Sequence, residues 1–438
     1  MVDVLVPMGY SPSDRPEDAE LIILNTCHIR EKAAEKLYSE LGRYEKIKKD
    51  KEKNGNKTII AVAGCVAQAE GEEVIRRAPY VDIVFGPQTY HRLPKMVKQV
   101  LTRGGQKQKS GNILDVEFPS EPKFDSLPEI HTKGFSAFLT IQEGCDKFCS
   151  FCVVPYTRGP EYSRPVEDVL SEAKNLVACG VREITLLGQN VNAYSGAWRS
   201  GGKLEVSLAD LICELDKIHD LDIIRYTTSH PADMTDDLIK AHGQLEKLAP
   251  FVHLPVQSGS DKILVKMNRR HTRENYIKIV EKLLSANSKI KLSSDFIVGF
   301  PGETDQDFMA TLTLIEEVGF IQAYSFKYSP RPGTPGASLG NQVPEEIKSE
   351  RLKILQDLVF ATQRKFNETC VGTLIPVLLD RRGRKFGQLV GRSPYMQAVH
   401  VYAPKENLGK IVNLRIDSAH PNSLSASKII ENVGRAVA

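Results

Sequence analysis

Three cysteines, Cys145, Cys149 and Cys152, stand in EGCDKFCSFC (143–152) as C-x3-C-x2-C, directly after a predicted strand. Three thiolates on one tight loop can hold three corners of a cubane iron–sulfur cluster, which usually takes four cysteines. With three, one iron keeps an open position, and open metal positions are where outside ligands bind and react. A guest with an amine and a carboxylate would chelate that iron. S-adenosylmethionine (SAM) carries both, and reduction turns it into a radical source. The competing readings are a zinc knuckle and a redox pair. Zinc wants a fourth ligand nearby, and no His or Cys follows within a dozen residues of Cys152.

Five further cysteines lie at positions 27, 65, 179, 213 and 370. In a chain without an export signal, disulfides are not expected. Cys27 and Cys65 each follow a predicted strand end, the edge where open α/β sheets place ligands. Cys179, Cys213 and Cys370 read as core residues.

The elements that must position these thiols follow from patterning. LIILNTC (21–27), TIIAVAGC (58–65) and VDIVFG (81–86) read as buried strands alternating with helices, one of them from Glu31 to Lys51. That alternation predicts a parallel, covered sheet. Residues 104–132 are polar and read as a linker after an α/β domain at 1–103. From 133 to 366, six strand candidates alternate with helices: FSAFLTIQ, REITLLGQN, IIRYTTS, FVHLPV, KLSSDFIVGF and IQAYSFKYS. Six βα units predict a partial (β/α)6 barrel with its chemistry on the loops after the strands. Ser163 and Pro165 supply helix-start chemistry for PVEDVLSEAKNLVACG, and a helix from Glu345 to Phe366 closes the barrel. Residues 367–434 change to short β runs (TLIPVLLD, GQLVGR, QAVHVY, KIVNLRI), expected as a small OB-like β-barrel. The whole is α/β and multidomain.

Composition narrows the class. With 41% hydrophobic and 26% charged residues, the chain is neither disordered nor fibrous. No apolar run approaches membrane-spanning length, and the first residues carry no secretory pattern. Net charge is +3, yet residues 367–438 carry ten Lys/Arg against five Asp/Glu. DRRGRKFGQ sets Arg381, Arg382, Arg384 and Lys385 on one predicted turn, as expected of a phosphate contact. A solvated loop is the other reading. Tyr395 and Tyr402 could stack on bases or fill the barrel core.

FCVVPYTRGPEYSRP, LLGQNVNAY, TTSHP, HLPVQSGS, DFIVGFPGETDQDF and FKYSPRPGTPGA resemble the radical SAM methylthiotransferases over essentially the whole chain. They look most like the branch that thiomethylates isopentenylated adenosine beside the tRNA anticodon. NTCHIREKA and GCVAQ resemble that family's N-terminal Rossmann-like domain, and the last seventy residues its TRAM domain, an RNA-binding β-barrel. The resemblance implies that Cys145, Cys149 and Cys152 ligate the radical SAM [4Fe–4S] cluster. It implies that Cys27 and Cys65 match two of three ligands of an auxiliary [4Fe–4S] cluster. The third lies upstream in the family, and this chain has no earlier cysteine. A first strand and one ligand are therefore expected to be missing, through a start codon assigned too far downstream or a truncated gene product.

The resemblance further implies two SAM molecules per turnover, one cleaved to the radical that abstracts hydrogen from C2 of the adenine, the other donating methyl. Gln189, Ser229, Gln257, Gly299 and Gly302 are expected on the cofactor side, with Asn190 and Ser258 beside them. Arg158 could meet a carboxylate or phosphate. No catalytic residue beyond the cluster ligands is expected. Expected partners are the tRNA anticodon stem-loop, an electron donor such as flavodoxin or ferredoxin, and sulfur or iron–sulfur delivery proteins. A cytoplasmic location without membrane association is expected. Three alternatives stand beside this: methylthiotransfer to threonylcarbamoyladenosine tRNA, methylthiotransfer to a ribosomal protein, and a catalytically impaired RNA-binding iron–sulfur protein.

Overall fold

The structure, a computed structural model, describes residues 1–27, 33–103, 111–119, 123–126, 134–201 and 205–430. Most of HIREKA, much of the 104–132 stretch and the final residues 431–434 of the expected β-barrel lie outside them. The chain forms two compact units: Met1–His131 with Val153–Pro160, and Thr132–Cys152 with Glu161–Ala438.

The first unit is built on a parallel sheet in the order β1 (Leu21–Thr26), β2 (Ile59–Gly64), β3 (Ile83–Phe85) and β4 (Ile113–Asp115). Alternate residues of β2 face opposite layers, as the pleat requires. Ile59, Ala61 and Ala63 pack with Val4, Leu5, Leu93, Met96 and Val97, while Ile60 and Val62 pack with Leu37, Leu41, Val66 and Val74. Both faces are covered, so the strands read as unbroken apolar runs. The expected linker is corrected here: Ile113–Asp115 pairs with β3 and completes an edge of the sheet. Three half-buried residues inside a polar stretch carry too little pattern to announce a strand. Val153–Pro160, expected within the barrel domain, clusters with this first unit, where the Arg158 carbonyl accepts the Gln88 side-chain amide at 2.6 Å.

The second unit holds six parallel strands: β5 (Ser136–Thr140), β6 (Glu183–Leu187), β7 (Ile223–Tyr226), β8 (Phe251–His253), β9 (Lys291–Val298) and β10 (Gln322–Lys327). They form two three-stranded sheets, β5-β6-β7 and β8-β9-β10. A bridge from Ile224 to Leu248, just before β8, connects them. A helix follows each strand, ending with Glu345–Thr369. Outward residues of the strands and inward residues of the helices, such as Leu139, Val169, Ile184, Ile212, Phe296 and Leu314, make one continuous core. This is the partial (β/α)6 barrel. Ser163 does not cap the first barrel helix. Its hydroxyl accepts the Ser195 N–H instead, and Pro165 stands at the cap position. Cys179 and Cys213 are exposed rather than core, because each falls on the solvent side of its helix end or helix; Cys370 is buried.

The chain then closes a five-stranded barrel, β11 (Leu374–Arg382), β12 (Gln388–Arg392), β13 (Ala398–Tyr402), β14 (Ile411–His420) and β15 (Ser423–Ile430), in the order β11-β12-β13-β15-β14. Its floor of side chains includes Val377, Leu379, Val399, Val412 and Leu414. This barrel seats on the larger one through Arg225. The guanidinium pairs with Glu183 at 2.9 Å and donates to the carbonyls of Pro394 at 2.6 Å and Ser393 at 3.1 Å. Among the described residues no helix is long and apolar enough to cross a membrane.

Candidate functional site

The cysteine loop leaves β5 through Gln142–Glu143, which pairs antiparallel with Tyr162–Ser163. Gln142 is buried and anchors two loops at once. Its side-chain amide donates to the Gly144 carbonyl at 2.8 Å, and its Oε1 accepts the N–H groups of Gln189 at 2.8 Å and Asn190 at 3.1 Å. Gly188 permits this approach: a methyl group there would lie 2.5 Å from Gln142 Oε1. Gln189 answers by accepting the Gly144 N–H at 2.8 Å.

Further along, the loop is held from the opposite side of the barrel. Ser150 donates its N–H to Met267 O at 3.0 Å and its hydroxyl to Lys266 O at 2.7 Å, and accepts the Gly336 N–H at 2.7 Å. Asn268 donates to the carbonyls of Lys147 and Phe148. Lys147 pairs with Asp233 at 2.7 Å, and Asp233 also accepts from Asn190 at 2.8 Å. The loop's shape is thus imposed by four other βα loops, those after β6, β7, β8 and β10.

Cys149 is buried, Cys145 and Cys152 partly so. Burial pushes the Cys145 thiol up to about 11. Arg269 lies against Cys149, Nη1 to Sγ 3.6 Å, and donates to Pro255 O. A guanidinium is a fitting neighbour for a metal-ligating thiolate, which carries negative charge. Among the described residues no three His, Cys, Asp or Glu side chains converge as ligands of a single ion. A cubane does not require that, since each thiolate takes a different iron.

A fit test comes from polar atoms around this loop. Asn190 Oδ1, Ser229 Oγ, His230 Nε2, Arg269 Nε and both ring nitrogens of His271 are buried without a hydrogen-bond partner among the described residues. Each such atom costs about 1–3 kcal/mol when left unsatisfied. They are linked: the His230 and His271 rings meet edge to face at 5.8 Å, and burial followed by the nearby Arg269 charge lowers both imidazoles, to about 2 and about 3. Two neutral rings, an amide, a hydroxyl and a guanidinium at the C-terminal strand edge suit a guest with a carboxylate and several hydrogen-bonding groups. The residues present therefore fit a three-thiolate cluster with a polar guest.

The remaining expected residues divide. Gln257 is buried with φ +76°, its backbone bridging to β9 through Asp295 O and Ile297 N. Ser258 bonds within the fold, to Thr311 and the Ser260 N–H. The Gly299 N–H goes to Glu303 at 2.9 Å and its α-carbon abuts Lys348, while Gly302 abuts Lys266. Thr304 is a helix cap, as DFIVGFPGET allows, in a capping box with Asp307. His253 bonds Ser293 at 2.8 Å. Gln142, Arg269 and His271 were not singled out by sequence reasoning. NRRH (268–271) carries no motif, and only the packing of the barrel loops buries Arg269 and His271.

In the first unit, Cys27 and Cys65 each follow one residue after the paired strand ends Thr26 and Gly64. Cys65 opens the helix Cys65–Arg77. In the small barrel, Arg381, Arg382, Arg384 and Lys385 are all exposed, with Arg381 paired to Asp380 at 2.8 Å. Tyr395 is taken up internally, donating to Lys289 O and packing edge-on to Phe366.

Comparison with known proteins agrees with this architecture. Residues 139–315 match the Radical SAM superfamily, residues 368–429 the TRAM domain and residues 1–86 the Uncharacterized protein family UPF0004. A tRNA-2-methylthio-N(6)-dimethylallyladenosine synthase of Rickettsia bellii is 56% identical over 97% of this chain and 94% of its own length. The synthase of that name from Rickettsia felis is 56% identical over 98% and 95%. In structure, the radical S-adenosylmethionine methyltransferase TsrM of Kitasatospora setae is similar in fold, with TM-score 0.52 and 13% identity over 85% of this chain and 69% of that one. A three-cysteine loop clamped on a partial barrel, a closed five-stranded barrel after it, and this degree of identity lead to one conclusion: the chain belongs to the radical SAM methylthiotransferases, in the family of the tRNA-2-methylthio-N(6)-dimethylallyladenosine synthases.

Proposed function

We propose that this protein transfers a methylthio group to C2 of N6-isopentenyladenosine beside the anticodon of tRNA. The observation that supports it most is the clamped Cys145–Cys149–Cys152 loop facing buried, unpartnered polar atoms. When bound, a [4Fe–4S] cluster with one open iron supplies the electron that makes SAM a radical source, chemistry suited to an aromatic C–H with no leaving group.

The chain's own residues do the rest. Cys145, Cys149 and Cys152 hold the cluster, and Arg269 offsets its negative charge at Cys149. Ser229, His230 and His271 would orient the SAM carboxylate and amine, with Gln189 and Gln257 setting the loop positions; the space beside Gly299 and Gly302 is taken by Lys348 and Lys266. Cys27 and Cys65 would contribute thiolates to a second cluster, which would supply sulfur, and a second SAM would supply methyl. The α/β domain runs through β4 at 113–115, followed by the partial barrel to 366 and the small β-barrel from 367. Arg381, Arg382, Arg384 and Lys385 hold tRNA phosphates, which position without reading sequence. An unstacked anticodon-loop base enters the barrel mouth. A flavodoxin or ferredoxin supplies electrons, delivery proteins rebuild the sulfur source, and the setting is the cytoplasm.

The test is nucleoside mass spectrometry on tRNA from a host lacking its own methylthiotransferase and expressing this 438-residue chain. 2-Methylthio-isopentenyladenosine is expected. Accumulation of the isopentenyl nucleoside alone, with 5′-deoxyadenosine still formed anaerobically by the purified chain, would overturn the substrate and leave the radical chemistry standing.

A further inference from the structure

The hairpin joining β11 to β12 carries a feature that the barrel does not need for its own stability. Its turn is closed by Gly383 N–H to Gln388 O at 2.7 Å and Gln388 N–H to Lys385 O at 3.1 Å. At the tip, the Phe386 side chain is 102% exposed, more than any other large hydrophobic among the described residues. A ring held there forgoes the stabilisation that burial would give it. Single exposed apolar residues are common, so the company this one keeps decides its meaning.

Arg382, Arg384 and Lys385 surround it, all exposed and without an ion pair among the described residues. Arg381 is different, being tied to Asp380. Tyr402 is 56% exposed and pairs in register with Gln388 at the root of the hairpin. The Ala403 N–H bonds Gly387 O at 3.2 Å and holds that strand end alongside. One end of the barrel therefore offers two open aromatic faces among three uncompensated cations.

That combination matches one kind of ligand. Single-stranded nucleic acid carries phosphates for the cations and unpaired bases for the rings. A paired duplex hides its bases, and an acidic protein surface would use the cations but leave the rings bare. We propose that Phe386 stacks on an unpaired base of bound RNA, with Tyr402 as a second platform and Arg382, Arg384 and Lys385 on the flanking phosphates. The proposal rests on the RNA-substrate reading above and assigns the contact that would tell loop from stem.

The test uses the full chain and two RNA probes, an anticodon stem-loop and a fully paired duplex of the same stem, titrated by fluorescence anisotropy at several salt concentrations. Base–aromatic stacking worth about 1–3 kcal/mol predicts that Phe386→Ala weakens stem-loop binding roughly 5- to 150-fold. Duplex binding should stay within about 2-fold, and the salt slope should not change, because no phosphate contact is lost. Arg384→Ala should weaken both probes and lower the salt slope by roughly 0.7–0.9. Phe386→Trp should restore affinity, and its added emission over the single native tryptophan, Trp198, should quench on stem-loop addition.

Equal losses on both probes, or stem-loop binding by Phe386→Ala within 2-fold of the parent, would overturn the proposal. So would intact RNA binding alongside lost binding to phosphatidylglycerol vesicles, which would make this tip a membrane contact. A parent chain that does not bind the stem-loop would overturn the substrate reading and this proposal together.

Discussion

Replacing Arg225 with methionine should uncouple the small barrel from the large one. Arg225 and Glu183 are 4% and 3% exposed in their side chains, and the pair is made at 2.9 Å. The guanidinium also satisfies the carbonyls of Ser393 and Pro394. Methionine keeps most of the stem volume but leaves Glu183 with only the Ser136 hydroxyl at 2.8 Å. Breaking a buried ion pair from one side costs about 3–5 kcal/mol, most of it the stranded charge. With a urea slope of about 3 kcal/mol/M, the unfolding midpoint should fall by about 1–1.7 M. The double variant Glu183→Leu/Arg225→Met removes the stranded charge and leaves two unserved carbonyls. It should be more stable than Arg225→Met alone by the cost of the stranded carboxylate, because the two unserved carbonyls, about 1–3 kcal/mol each, are common to both variants. Limited proteolysis should show the single variant opening first within residues 374–430. A midpoint shift under about 0.2 M for Arg225→Met, or a double variant as damaged as the two singles added together, would refute the reasoning, since coupled partners cannot be additive.

Three other outcomes are expected. Gly188→Ala should expel the Gln142 side chain and cost about 1–3 kcal/mol, read as a lower melting temperature and lower iron after anaerobic reconstitution; an unchanged melt would refute the anchor. Alanine at Cys145, Cys149 or Cys152 should remove one cluster's worth of iron and sulfide and abolish 5′-deoxyadenosine formation, and retention of either would sink the ligand assignment. Asp307 gives a pH signature. Burial raises its carboxyl, but hydrogen bonds from the Thr304 N–H, Lys262, Ser260 and the Thr304 hydroxyl outweigh that and hold it below the usual carboxylate range. A depressed folded pKa stabilises above the unfolded value, about 3.9, and fades as pH falls toward the folded one. The stability gap between parent and Asp307→Asn should therefore be constant above about pH 5 and shrink below pH 4; a gap that widens on acidification would contradict it.

The six barrel strands could be read from the chain because each is a short apolar run between helical periods, and burial on both faces makes such runs distinct. β4 could not, because its three residues sit in polar sequence and gain their place only by pairing with β3. β15 was also missed: SLSASKII lacks the strong β-branched run of its neighbours, and closure of the ring supplies its partners. At the site, the cysteine spacing is local and therefore visible. What holds it is not: Gln142 works through Gly188, and Arg269 reaches Cys149 across 120 positions of sequence. Cys179 and Cys213 show the reverse failure, since an apolar neighbourhood in sequence did not put either thiol indoors.

The bond from Gly336 to Ser150 also sets an order in time. A ribosome delivers the cysteine loop long before the residue that secures it, some 186 positions later. At about 5–20 residues per second that interval is roughly 10 to 40 s. During it the three thiols hang on a loop whose far wall has not been made. The clamp on the loop is therefore complete only once the chain beyond Gly336 has been made, and until then the three thiols are an easier target for an oxidant.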